Sequence, residues 1–127
     1  MKQIIYILLL SCCLTSFVAC TESLEDRAAR ECKEFTEKNC PCQLNNGMSY
    51  DSVTFARDTR TIHHYYSVSG KGDNPTIFEK NKKEIENAQE KAIREDISSK
   101  RYKEAGFSIA VTIISSSTKQ KYLEFKV

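Results

Sequence analysis

"DSVTFARDTRTIHHYYSVS", residues 51–69, is the stretch from which the fold can be read. Val53 and Phe55 alternate with Ser52 and Thr54, the period-two pattern of a strand with one apolar face. After the turn residues Asp58-Thr59 the alternation resumes. Ile62, His64, Tyr66 and Val68 share one face, while His63, Tyr65 and Ser67 share the other. β-Branched and aromatic side chains fill both runs, and these pack best on a pleated surface. The pattern predicts a hairpin with one face that must be buried against something else.

The flanks supply the cover. Upstream, Leu24, Ala28, Cys32 and Phe35 recur at spacings of four, four and three, one stripe of a helix. Ser23, with Asp26 three residues on, reads as a capping box at its start. Asn39 and Pro41 end it, because the residue before a proline avoids the helical region. "NNG" at 45–47 is a turn signal. Downstream, "GKGDNP" (70–75) reads as a loop and Thr76-Ile77-Phe78-Glu79 as a second capping box. The helix that follows is predicted to run to about Tyr102, with Phe78, Ile85, Ala88, Ala92 or Ile93, and Ile97 facing inward. Gly106 marks its exit. "FSIAVTIIS" (107–115) then sets Phe107, Ile109, Val111 and Ile113 on one face, and "KYLEFKV" (121–127) returns Leu123, Phe125 and Val127 to the core.

The predicted order is helix, hairpin, helix, hairpin (αββαββ). It implies an α+β fold with two helices on one face of a four-stranded antiparallel sheet. Val53, Phe55, Ile109, Val111, Leu123 and Phe125 are expected to be buried beneath both helices.

The N-terminus carries a separate message. Lys2 precedes an uncharged run, "IIYILLLSCCLTSFVA" (4–19), which is shorter than the roughly 20 residues a spanning helix needs. It has the build of a secretory signal. Plain secretion and an uncleaved anchor are the alternatives to lipid attachment. Ordinary cleavage after Ala19 would want a small residue at position 17, where Phe17 stands. Val18, Ala19 and Cys20 instead resemble the bacterial lipobox, although Phe17 occupies a position where leucine is usual. The resemblance implies acylation of the Cys20 thiol, cleavage before it, and a lipid anchor in the bacterial cell envelope, with the outer membrane expected. More than one acyl chain is what makes such anchoring stable. The resulting division is a signal peptide (1–19), a lipidated cysteine and short tether (20–22), and a single domain (23–127).

Loss of Lys2 with the leader leaves a net charge near +1, against +2 for the whole 127-residue chain. Charges of both signs are interleaved, so nothing points to nucleic acid as a partner. Asn39, Pro41, Asp51, Ser52, Val53, Tyr65 and Tyr66 resemble a pattern met in small bacterial envelope proteins: a helix, Asn-x-x-Pro (here one residue shorter, Asn39-Cys40-Pro41), an "LDSV"-like strand start and a Tyr-rich second strand. That resemblance implies an α+β fold and no known activity.

Candidate chemistry is sparse. Cys32, Cys40 and Cys42 leave three arrangements open: a bridge from Cys32 to Cys40 or Cys42 in an oxidising envelope, three free thiols, or a redox pair at Cys40 and Cys42. Redox pairs are spaced Cys-x-x-Cys, whereas "CPC" has one intervening residue. If the first helix continues to Asn39, Cys32 and Cys40 lie about 12 Å apart along its axis. Disulfides need Cα atoms within roughly 7 Å, which favours Cys42 as the partner. His63 and His64 point to opposite faces of a strand and cannot easily share a metal. No nucleophile elbow, phosphate loop or His-Glu-x-x-His pair occurs. The expectation is a non-catalytic accessory or binding domain with no cofactor and an unidentified protein partner. A thiol–disulfide accessory and an inhibitor or immunity-type protein are the alternatives.

Overall fold

Ser23 begins the first helix as the pattern predicts: its Oγ accepts from the Asp26 backbone N–H at 3.1 Å. The computed structural model describes residues 21–127, so the leader and Cys20 lie outside the described residues. Helix α1 spans Leu24–Asn39 and ends at Cys40 in extended backbone. Ala28 and Cys32 are buried along its inner stripe, whereas Phe35 is 44% exposed.

Beyond Pro41 the chain forms β1 (Cys42–Gln43), a 3-10 turn over Asn45–Gly47, and the predicted hairpin, β2 (Met48–Ala56) and β3 (Thr61–Val68). A second 3-10 turn (Gly70–Gly72) leads to α2 (Pro75–Glu95), a short α3 (Lys100–Glu104), β4 (Ser108–Ser115) and β5 (Lys121–Lys126). The sheet order is β1-β2-β3-β4-β5.

The sheet differs from the expected one in two ways. It has five strands, because Cys42 and Gln43 pair antiparallel with Tyr50 and Ser49. It is also mixed: β3 and β4 run parallel, from Thr61↔Ser108 to Val68↔Ser115. The cause is the crossover. A helix of 21 residues is about 31 Å long and carries the chain back to the end where β3 began, so the next strand repeats its direction.

Helix α2 corrects two local readings. Its cap is Asn74, whose Oδ1 accepts from the Thr76 and Ile77 N–H groups at 2.9 and 3.2 Å. Pro75 takes the first helical position, where its missing N–H costs nothing. The helix also stops at Glu95 rather than near Tyr102. Asp96 turns into extended backbone, and its carboxylate accepts from the Ser98 N–H and hydroxyl at 3.0 and 2.8 Å, a local alternative to helix hydrogen bonding. Lys103 Nζ donates to the carbonyls of Ile93, Arg94 and Asp96, filling acceptors that the ended helix leaves. Ile97, expected inward, is consequently 85% exposed.

One face of the sheet carries the core. Ile109, Val111 and Ile113 at its centre are at most 1% exposed, and Val53 and Leu123 join them. Phe55 and Phe125 are half-buried rather than fully covered. Phe78 and Ile93 of α2 close one cluster with Tyr66, Val68 and Leu123. Ala28 and Cys32 of α1 close the other with Val53, Ile62, Tyr102 and Phe107. Asp73 fastens the start of α2 to the β4–β5 turn, accepting from Ser117 Oγ at 2.7 Å and Tyr122 Oη at 2.8 Å.

Candidate docking groove

Both long helices lie on the same face but over different strands, α1 on β2 and α2 on β5. Between them a cleft remains open over β2 and β3. The resulting groove has two neighbouring sections. One, of about 700 Å³, is bounded by Ala28, Glu31, Cys32 and Phe35 of α1 and by Gln89, Ala92, Ile93, Glu95 and Asp96 along α2. Its floor is Tyr50, Val53, Ile62, His64 and Tyr66, and Ser98, Ser99 and Tyr102 bound it further. The other section, of about 450 Å³, continues toward the start of α2, between Ile77, Asn81, Glu84 and Ala88 and the turn residues Asn45 and Asn46, over Met48 and Val68.

Register sets the two sections end to end. Met48↔Val68, Tyr50↔Tyr66, Val53↔His64 and Phe55↔Ile62 are successive partners on the core face of β2 and β3. From Ile62 to Val68 the floor extends about 20 Å. On α2, Ile77, Asn81, Glu84, Ala88 and Ala92 recur at three- and four-residue spacings, one helical face turned to the groove. Ala88 and Ala92, read from the sequence as inward-facing, do face this way yet remain exposed.

The floor chemistry is governed by burial. The Tyr50 hydroxyl and His64 Nδ1 share a hydrogen bond, and the rings of Tyr50 and Tyr66 meet edge to face at 4.7 Å. Burial lowers the His64 pKa to about 4, against a smaller opposing effect from Asp96. Burial also raises the Tyr50 hydroxyl, and pushes Tyr66 up to about 12. Cys32 and His64 place a thiol and an imidazole in one cavity, the groups a cysteine hydrolase uses as nucleophile and base. Here burial pushes the Cys32 thiol up to about 11 and keeps the imidazole neutral, the reverse of thiolate activation.

The other sequence candidates do not converge. His63 lies on the opposite face, its Nε2 2.6 Å from Thr112 Oγ1, with its ring stacked on Tyr65. The three thiols are unbridged: Cys32 buried in α1, Cys40 half-buried at the helix end and Cys42 exposed in β1. Burial, then the proximity of Cys42 and Asp51, raises the Cys40 thiol, which runs against a low-pKa redox nucleophile. Among the described residues no group of three or more His, Cys, Asp or Glu is placed to hold a metal ion, and no helix is long and apolar enough to cross a membrane. Sequence periodicity did not mark the groove. Its only trace is that Phe35 and Ile77 are large apolar residues at helix positions the core does not fully use.

Fold and groove define a class: an α+β domain in which two helices flank an open trough over a mixed sheet. The chain belongs to the family of the domain of unknown function DUF8479, whose profile matches residues 23–123. Two solved structures share the fold. PA3611 of Pseudomonas aeruginosa, provisionally assigned as a secreted protein, superposes with a TM-score of 0.64 at 11% identity, over 84% of this chain and 95% of that one. EpsS, the pilotin of the Vibrio vulnificus type 2 secretion system, gives 0.64 at 14% identity, over 82% and 86%. No curated protein matches the sequence.

Proposed function

We propose that this protein is a small, non-catalytic accessory lipoprotein of the bacterial envelope, tethered by a lipid on Cys20, whose groove holds a segment of a protein partner. The observation that carries this reading is the placement of exposed apolar side chains. Phe35, Leu44, Ile77 and Ile97 are the exposed large hydrophobics among the described residues. Phe35 and Ile77 line the groove, one in each section, whereas Leu44 and Ile97 lie outside its lining. Scattered singly, such residues need no explanation; two of them set along one trough between the helices mark a binding surface.

A pilotin is an accessory protein of a secretion system, and its sharing this fold supports an accessory role. The lipobox-like Val18-Ala19-Cys20 supports the anchor. Its tether would be short, because Glu22 is already held by Arg30 in a two-point ion pair at 2.8 and 2.9 Å. The domain would then sit close against the membrane.

The test is photo-crosslinking in intact envelopes. A crosslinker at position 35 or 77 should capture one partner, and one at position 54, on the opposite sheet face, should not. Equal capture from both faces, or none from the groove, would sink the proposal. Detergent phase partitioning of Cys20→Ala reads the anchor independently: the variant should remain an unprocessed precursor.

A further inference from the structure

The groove also carries a sign. Its lining includes Glu31, Glu84, Glu95 and Asp96 but no lysine or arginine, although the chain has 19 basic residues against 17 acidic ones. Glu31 and Asp96 are partly engaged, the first with Arg27 and Tyr102 and the second with Ser98. Glu84 and Glu95 are exposed on the α2 wall and make no ion pair or side-chain hydrogen bond among the described residues. An apolar trough edged by unpaired carboxylates complements one kind of occupant.

We infer that the groove takes a single amphipathic helix with an apolar stripe and lysine or arginine along its flanks; this rests on the groove being the docking surface proposed above. The secondary structure of the occupant follows from the floor, which offers side chains and no free backbone. The strands are engaged in their ladders, and on the outer edge of β2 the N–H and C=O of Val53 are both taken by Thr36 Oγ1, at 3.0 Å each. An extended segment would leave its own N–H and C=O groups unpaired over apolar side chains, whereas a helix satisfies them internally. The floor length of about 20 Å corresponds to about 13 helical residues.

Fluorescence anisotropy with two designed peptides of about 15 residues tests this. Both carry a leucine stripe, one flanked by lysines and the other by glutamates. The lysine peptide should bind about tenfold or more tightly than the glutamate peptide at low salt, with the gap narrowing as salt is added. Glu84→Lys/Glu95→Lys, at two exposed positions, should reverse the preference while the circular dichroism spectrum is unchanged. Phe35→Ser should weaken the lysine peptide about tenfold and so locate binding in the groove. Equal affinity for both peptides, still weakened by Phe35→Ser, overturns the charge inference and leaves the groove reading standing. Affinity indifferent to Phe35→Ser, or no binding of either peptide, overturns both.

Discussion

The Tyr50 hydroxyl and His64 Nδ1 are hydrogen-bonded across the β2–β3 pair on the floor of the groove, His64 lying two residues along β3 from Tyr66, the register partner of Tyr50. The pair places a titratable imidazole where burial favours its neutral form, and stability must therefore depend on pH. His64 has a folded pKa of about 4, below the value of about 6.5 for an unfolded chain. Between these values the unfolded state binds the proton and the folded state does not, so stability falls as pH falls. From pH 7 to pH 5 the loss attributable to His64 should be about 2 kcal/mol. Urea titrations should show it, and His64→Phe should flatten most of the slope. Asp96 and Glu31, both held below the usual carboxylate range, contribute only at lower pH.

Val111 is 0% exposed at the centre of the sheet. Val111→Asp should unfold the domain, because an unpaired buried carboxylate costs several kcal/mol against a total margin of about 5–15 kcal/mol. A monodisperse variant with a native-like melting transition would show that the covered face has been misassigned.

Gly47 sits at φ +73, and a Cβ there would come within 2.5 Å of the Ser69 carbonyl oxygen. That carbonyl belongs to a backbone already tied to Gly47, whose own oxygen accepts from the Ser69 N–H at 2.8 Å. Gly47→Ala should destabilise by about 1–3 kcal/mol in thermal or chemical unfolding. Because Gly47 follows Asn45 and Asn46, the substitution should also weaken binding at that end of the groove.

The thiols give a prediction about the oxidised state. Helix α1 does run to Asn39, so Cys32 and Cys40 are about 12 Å apart by helical rise and cannot bridge while it is intact. We propose Cys42, beyond Pro41, as the partner of Cys32 under envelope oxidation, with Cys40 left over. Such a short loop would add about 2 kcal/mol. Non-reducing peptide maps of acid-trapped protein should recover the Cys32–Cys42 pair. Three free thiols would exclude the bridge, and a Cys40–Cys42 bond would restore the redox reading.

What the sequence determined by itself was local. Ser23 capping Asp26, the end of α1 at Asn39, the alternation over 52–55 and 62–68, and the separation of His63 from His64 all depend on neighbours within a turn or a pleat. Those are the ranges over which one residue type dictates geometry. The tertiary structure decided everything that depends on direction and spacing between elements. Whether β4 lies parallel to β3 is set by how the crossover helix returns the chain, which no strand's own pattern records. The stop of α2 at Glu95 required Asp96, Ser98 and Lys103 to outbid a helical periodicity that runs on through Tyr102. The groove is the plainest case. Ala88, Ala92 and Phe35 have the periodicity of core residues, and only the separation of α1 over β2 from α2 over β5 leaves them facing open space instead of each other.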